Sequence, residues 1–225
     1  YFTRDYGTRK LYDTPAYGVA FYHQSTIDDL LTRGLSLTFG IRYDYEHTSN
    51  DFLFYKETDG GSEQMDAFDS RLKFSQVTPK IALQYMFPST GMLYATVTKG
   101  YKTGGFNTSF DREEDRTFRP EPSWNYELGA KHPFLDNRLN AEFCFFWIDW
   151  KNQQIYQMLA TQNGQYLRNA GRSESKGVEV SLQGNPVNGL MVQVNYGFTH
   201  ATFKDYKDER RGIDYSGNFL PMVPR

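Results

Sequence analysis

Cysteine is nearly absent: Cys144 stands alone, so neither an internal disulfide framework nor a zinc cage of several thiolates is available. Long apolar runs are absent as well. No window approaches the roughly 20 consecutive apolar residues that a spanning helix needs, which excludes a helical membrane protein. An excess of either charge is missing too, because 25 basic residues against 27 acidic ones leave −2, no field to gather nucleic acid or an anionic membrane surface. Catalytic signatures are equally scarce. There is no Gly-x-Ser-x-Gly elbow, no phosphate-cradling glycine loop and no His-Glu-x-x-His pair, so no enzyme, cofactor or resident metal is expected. The opening Tyr1-Phe2-Thr3-Arg4-Asp5 carries no initiator Met, charged n-region or apolar h-region. The expectation is an internal piece whose export signal belongs to a parent.

Aromatic residues are abundant: 18 Phe, 17 Tyr and 3 Trp in 225 residues that are otherwise polar on average. Their placement follows a period of two. From Leu35 to Tyr45 the odd positions read Leu35, Leu37, Phe39, Ile41, Tyr43 and Tyr45, and the even ones Ser36, Thr38, Gly40, Arg42 and Asp44. One face is apolar and the other polar. The same alternation returns from Lys80 to Phe87, Trp124 to Lys131, Leu139 to Trp147, Val178 to Leu182 and Leu190 to Phe198. Weaker members near 15–24 and 91–101 place Tyr22 and Met92 on the polar parity and Lys99 on the apolar one, where a lysine near a strand end snorkels to water. No segment sustains a 3.6-residue period, so helix is confined to a few turns in loops.

Connection lengths add a second regularity. Short turns at Pro88-Ser89-Thr90, Pro133 to Arg138 and Gly184 to Gly189 alternate with long polar segments at about 48–70, 102–121, 151–174 and 205–220, which hold the charge clusters Asp111 to Arg116 and Asp208 to Arg211. In an up-and-down meander, one rim then carries tight turns and the other long loops. A soluble β-sandwich has strands of about 5–6 residues and no reason for that alternation. Runs of about 9–13 residues suit a tilted strand crossing a bilayer. The reading is all-β: a transmembrane antiparallel up-and-down β-barrel, with roughly nine or ten strands present. The apolar parity must then face lipid, because a Lys or Arg there at midplane costs about 2–4 kcal/mol. Arg42, Asp44, Lys80, Glu127, Lys131, Glu142 and Glu179 all lie on the polar parity. Trp147, Trp150, Trp124 and Tyr101 are expected in an interfacial girdle, and Glu127 with Lys131, and Glu174 with Lys176, as lumenal charges. His23 and His132 fall at the tight-turn end, and His47 and His200 at the other, so no metal site is expected.

Several stretches resemble the TonB-dependent outer-membrane receptors, specifically their iron-complex (ferric siderophore) branch. They are Tyr94 to Asn107 (YATVTKGYKTGGFN), Arg119 to Lys131 (RPEPSWNYELGAK), Phe145 to Ile155 (FFWIDWKNQQI), Asn169 to Glu179 (NAGRSESKGVE) and Gly217 to Pro221 (GNFLP). In order and spacing they look like the family's mid-to-late barrel, covering about 35–225. The resemblance implies that 1–225 is part of a single barrel domain of 22 strands in the full receptor, whose lumen is filled by an N-terminal plug domain absent here. It implies a protein of the Gram-negative outer membrane whose partners are outer-membrane lipid, its own plug, the TonB-ExbB-ExbD complex and a ferric siderophore, with no nucleic acid. The implied function is active uptake of a ferric siderophore or similar scarce nutrient; a passive porin-like channel and a soluble β-sandwich binding module are the alternatives. Without plug and final strands, this piece alone is expected neither to transport nor to contact TonB. Such receptors bind large ligands on aromatic and cationic loop residues, and the candidates here are Lys102, Phe106, Asn107, Tyr156, Tyr166 and Arg168.

Overall fold

The computed structural model describes residues 7–110, 112–160, 164–169, 171–208 and 211–223. Asp111, at the head of one expected charge cluster, and two residues of the other lie outside them. Alternation has produced strands almost throughout: β1 Gly7–Asp13, β2 Ala16–Ile27, β3 Leu35–Thr58, β4 Gly61–Met86, β5 Met92–Lys102, β6 Gly105–Phe106, β7 Thr117–Phe118, β8 Glu121–Phe134, β9 Leu139–Lys151, β10 Gln154–Met158, β11 Gln165–Asn169, β12 Arg172–Val187, β13 Leu190–Asp205, β14 Lys207–Asp208 and β15 Ile213–Asp214. One 3-10 turn, Glu113–Arg116, accompanies them. Nine strands form one sheet in the order β1-β3-β4-β5-β8-β9-β12-β13, with β2 also on β3; the pairings β1–β3, β4–β5, β5–β8, β8–β9, β9–β12 and β12–β13 are antiparallel. From β3 onward, strands that follow one another within the sheet pair, as a meander requires.

The chain divides into two compact units, one of Tyr1–Phe21 with Tyr43–Gln76 and the other of Tyr22–Arg42 with Val77–Arg225. In the first, β1 lies along the end of β3, with Tyr12 opposite Phe52. The Phe52 ring sits 5.0 Å from Tyr12 and 4.7 Å from Phe68, and Thr48, Asn50 and Phe52 are buried on one parity. The long polar loop expected at 48–70 is therefore corrected: β3 and β4 continue through it and meet at Asp59-Gly60. Polarity suggested a loop there, but strand alternation persists under the polar residues, and an Asp-Gly pair is strong hairpin chemistry.

In the second unit, register places residues in rows across the strands. One row reads Leu83, Ala95, Leu128, Phe145, Val178 and Phe198; the next toward the tight turns reads Tyr85, Leu93, Ala130, Phe143, Val180 and Tyr196. These side chains form no core. Leu128 is 58 % exposed and Tyr196 60 %, and the buried hydrophobics among the described residues are Phe52, Tyr166, Ala201, Phe203, Tyr206 and Leu220, none of them from these rows. The apolar face thus looks out. From Leu139 to Trp147 it runs about 27 Å along the strand, or about 20 Å once tilted, close to the height of an outer-membrane apolar band. On the opposite, polar face Lys131 donates to Glu142 at 2.9 Å, and Asn125 donates to Glu127 at 2.5 Å. Glycines there serve as seats for rings: a Cβ on Gly129 would strike Tyr94, and one on Gly177 would strike Phe146 and the Phe198 carbonyl.

Tight turns occupy one end of this unit, with positive φ at Gly34, Gly91, Leu135, Asp136, Asn137 and Gly189. At the other end the expected long connections are folded rather than irregular: β6 pairs β7, β10 pairs β11 and β14 pairs β15. Just beyond β15 the chain returns to the edge of β13. The Phe203 amide donates to the Asn218 carbonyl at 2.9 Å and the Leu220 amide to the Ala201 carbonyl at 3.0 Å.

Candidate functional site

The end carrying the long connections concentrates the second unit's buried side chains. Ala201 and Phe203, on the polar-face parity of β13, pack with Tyr206 and Leu220, and Ile155 and Tyr215 lean against them. Phe203 and Tyr206 have ring centroids 5.0 Å apart, and Tyr206 stacks on Tyr215 at 5.2 Å with planes 19° apart. These rings wall a cavity of about 780 Å³ also bordered by Trp150, Gln157, Asp208 and Arg211. The volume suits a ligand of drug size or larger. Burial pushes the Tyr206 phenol above its ordinary pKa. It is therefore neutral near pH 7, and because its oxygen accepts from Gln157 Nε2 at 2.6 Å, its own proton remains for another acceptor. Asp214, on β15, is held below the usual carboxylate range by hydrogen bonds from Ser216.

Carboxamides lash the three connections together. Asn107 Nδ2 donates to the Asp115 and Leu167 carbonyls at 2.8 and 2.7 Å, while its Oδ1 accepts from the Leu167 amide at 2.8 Å. Gln154 Nε2 reaches the Thr103 carbonyl at 2.7 Å and that of Arg119 at 3.1 Å. Asn169 bonds both the amide and the carbonyl of Arg119, at 2.8 and 2.9 Å. On the other side, Gln157 joins Tyr206 and also accepts from the Tyr166 hydroxyl at 3.1 Å. The β10–β11 hairpin is thus fastened to the segment before β8 and to the segment after β13.

The expected ligand residues fall into distinct settings. Lys102 is exposed at the end of β5, and Phe106 is half-buried in the β6–β7 pair. Asn107 is 6 % exposed and its amide is engaged by the backbone bonds above; Tyr166 is 1 % exposed. Register puts Tyr166 and Arg168 opposite Gln157 and Ile155, on the hairpin face toward the aromatic cluster. Tyr156, 66 % exposed, alternates with Ile155 and Gln157 along β10, and of the six expected residues it is the one that borders the cavity. Sequence reasoning passed over Phe203, Tyr206, Tyr215 and Leu220. Their signal was the apolar pair Ala201 and Phe203 just past the alternation read to Phe198, followed by Tyr206, Tyr215 and Leu220 within the segment read as a polar loop.

Two expectations change. Trp150 is opposite Ser123 and Ser173 on the polar-face parity and borders the cavity, so it is not part of the outer girdle. An interval of three from Trp147 on a strand reverses the face. Glu174 and Lys176 do pair, at 3.4 Å, but on the outward parity, in register with Asp149 and Trp147. Parity along β12 makes the even residues outward from Val178 down to Arg172.

Comparison with known proteins agrees with this geometry. Residues 2–225 match the family described as TonB dependent receptor-like, beta-barrel. The pesticin receptor of Yersinia pestis is 27 % identical over 198 residues, covering 87 % of this chain and 27 % of that protein. The chain thus spans about a quarter of the length of the curated relatives it matches. Among solved structures, the ferric yersiniabactin uptake receptor FyuA from Yersinia pestis superposes with a TM-score of 0.74 at 23 % identity, covering 97 % of this chain and 31 % of that one. The siderophore receptor PiuA from Acinetobacter baumannii gives 0.71 at 23 % identity, over 95 % and 30 %. These likenesses extend along strands whose apolar side faces away from the protein, and the chain belongs to the β-barrel family of TonB-dependent receptors.

Proposed function

We propose that this chain is part of a single receptor barrel in the Gram-negative outer membrane, and that the receptor takes up a ferric siderophore or a similar scarce, bulky nutrient. The family consists of receptors rather than enzymes. The observation that carries the reading is the pairing of a lipid-facing apolar belt with a roomy aromatic cavity on the polar-face side of the long-connection end. Stacked tyrosines and an arginine suit planar, electron-rich and anionic groups such as catecholates. In this reading Tyr156 contacts ligand together with Tyr206 and Tyr215 on the cavity lining, and Arg168, Lys102 and Phe106 meet it from beyond that lining. Asn107 and Tyr166 hold the wall in place. Energy for uptake comes from TonB with ExbB and ExbD, acting through a plug domain that fills the lumen.

The test is uptake of radioactive iron by cells lacking their own siderophore receptors and expressing the full receptor. Catecholate and hydroxamate chelates are supplied singly, with and without TonB. TonB-dependent accumulation from at least one chelate is expected, and Arg168→Ala should raise the concentration for half-maximal uptake about tenfold. Uptake that ignores TonB would favour a passive channel. Growth on a carbohydrate or a corrin but on no chelate would overturn the iron assignment.

A further inference from the structure

On the outward face, above the apolar rows, the sheet becomes cationic against the sign of the whole chain. The row after Leu128 and Phe145 is Ile81, Val97, Tyr126, Trp147, Lys176 and His200, with Tyr126 stacked on Trp147 at 5.0 Å. The following row holds Lys99, Trp124, Asp149 and Glu174. Aromatic rings of this kind mark the membrane boundary, so residues one or two rows further, each row two residues on, stand about 5–10 Å higher, among headgroups.

Five cations occupy that level and the aromatic row below it: Lys99, Lys151, Arg172, Lys176 and Lys204. The carboxylates among them are sunk and the cations stand proud. Asp149 is 13 % exposed under Arg172, whose side chain is 50 % exposed and grips it at 2.6 and 3.0 Å. Glu174 is 15 % exposed between Lys204 at 3.0 Å and Lys176 at 3.4 Å, which are 45 % and 50 % exposed. Lys204 is the extra residue of a bulge between Phe203 and Asp205, a device that re-aims one side chain. Lys99 and Lys151 have no ion-pair partner among the described residues. Even with Asp205, opposite Arg172, five cations meet three carboxylates, a local excess of two in a protein of net −2.

We propose that this rim docks the phosphate headgroup of an anionic membrane lipid, in the leaflet beside the long connections. Lys204, Lys176 and Arg172 form the contact, with Lys99 and Lys151 as flanking attraction. Glu174 and Asp149, less exposed than the cations they pair with, offset part of that charge. The inference rests on the membrane reading of the outward face. A lipid phosphate suits the position better than a free one, since its acyl chains lie on the apolar rows directly below. Cations at a membrane surface each strengthen anionic lipid binding several-fold.

The intact receptor, purified in neutral detergent, should be offered dioleoyl phosphatidic acid, dioleoyl phosphatidylcholine or inorganic phosphate, and retained lipid counted by native mass spectrometry. Phosphatidic acid should be retained about tenfold or more over phosphatidylcholine, and 10 mM inorganic phosphate should not displace it, as expected to an order of magnitude for cations acting at a lipid surface. Lys176→Gln with Lys204→Gln should lower that retention about tenfold. Glu174→Gln with Asp149→Asn, which adds net positive charge, should raise it; a merely structural role would make both double variants lower it. Equal retention of the two lipids, displacement by inorganic phosphate, or a fall in both double variants would overturn the proposal. A protein that stays monodisperse without detergent and retains no lipid would overturn the membrane reading itself.

Discussion

The outward face of the second unit holds two neighbouring regions that differ only in height along the same strands. In the belt, rows such as Ala95, Leu128, Phe145, Val178 and Phe198 carry no charge. Two rows higher, the same strands present Lys99, Trp124, Asp149 and Glu174. Backbone pairing, register and parity are unchanged between them, so local structure does not account for the switch. The solvent does: hydrocarbon tolerates no uncompensated charge, whereas the headgroup zone accommodates Lys, Arg and their counter-charges. A residue's place in the strand fixes which way it points, and its height fixes what may sit there.

A charge placed in the belt should break this contrast most severely. Phe145→Arg is expected to lower folding stability in vesicles by about 2–4 kcal/mol, read as a shift in the denaturant midpoint of the heat-modifiable gel band. Next in size is a methyl on the polar face: Gly177→Ala pushes into the Phe146 ring and the Phe198 carbonyl, and should cost about 1–3 kcal/mol in the same assay. Asn107→Ala leaves the Asp115 and Leu167 backbone groups without their partner, a loss of about 1–3 kcal/mol confined to the long connections. Its signature is faster hydrogen exchange at Leu167 with an unchanged midpoint for the sheet. A charge at the rim should matter least: His200→Lys, in the row of Trp147, is expected to cost about 0–1 kcal/mol. If Phe145→Arg and His200→Lys cost the same, height does not govern the face.

pH offers a gentler probe of the cavity. The Tyr206 phenol has a raised pKa through burial, so it binds its proton more tightly folded than unfolded. Its contribution is complete below the ordinary tyrosine pKa and is lost as pH rises through the folded value. Ultraviolet titration should therefore lose one late-ionising phenol in Tyr206→Phe.

The belt was legible because period two is a direct record of which side meets which solvent: Phe39, Leu128 and Val194 could be assigned to the exterior from their neighbours alone. The rim was only partly legible. Glu174 and Lys176 break the rule that charges occupy the inner parity, and composition could not distinguish a membrane boundary from a lumen wall. Register with Trp147 and Asp149 decides it. The cavity was the least legible part, since its walls meet only when 151–174 and 205–220 fold back, and polar loops conceal that in sequence. Lys102 and Arg168 are recognisable by chemistry, but the fastening role of Asn107 depends on a partner sixty residues away, Leu167.

Asn107, Gln154 and Asn169 each satisfy main-chain groups on a different excursion from their own. Cutting one such lashing lengthens the free tether of the others, so the excursions 102–121 and 151–174 are coupled. The ordering entropy of these two tethered excursions is spent when the polypeptide folds, before any guest arrives.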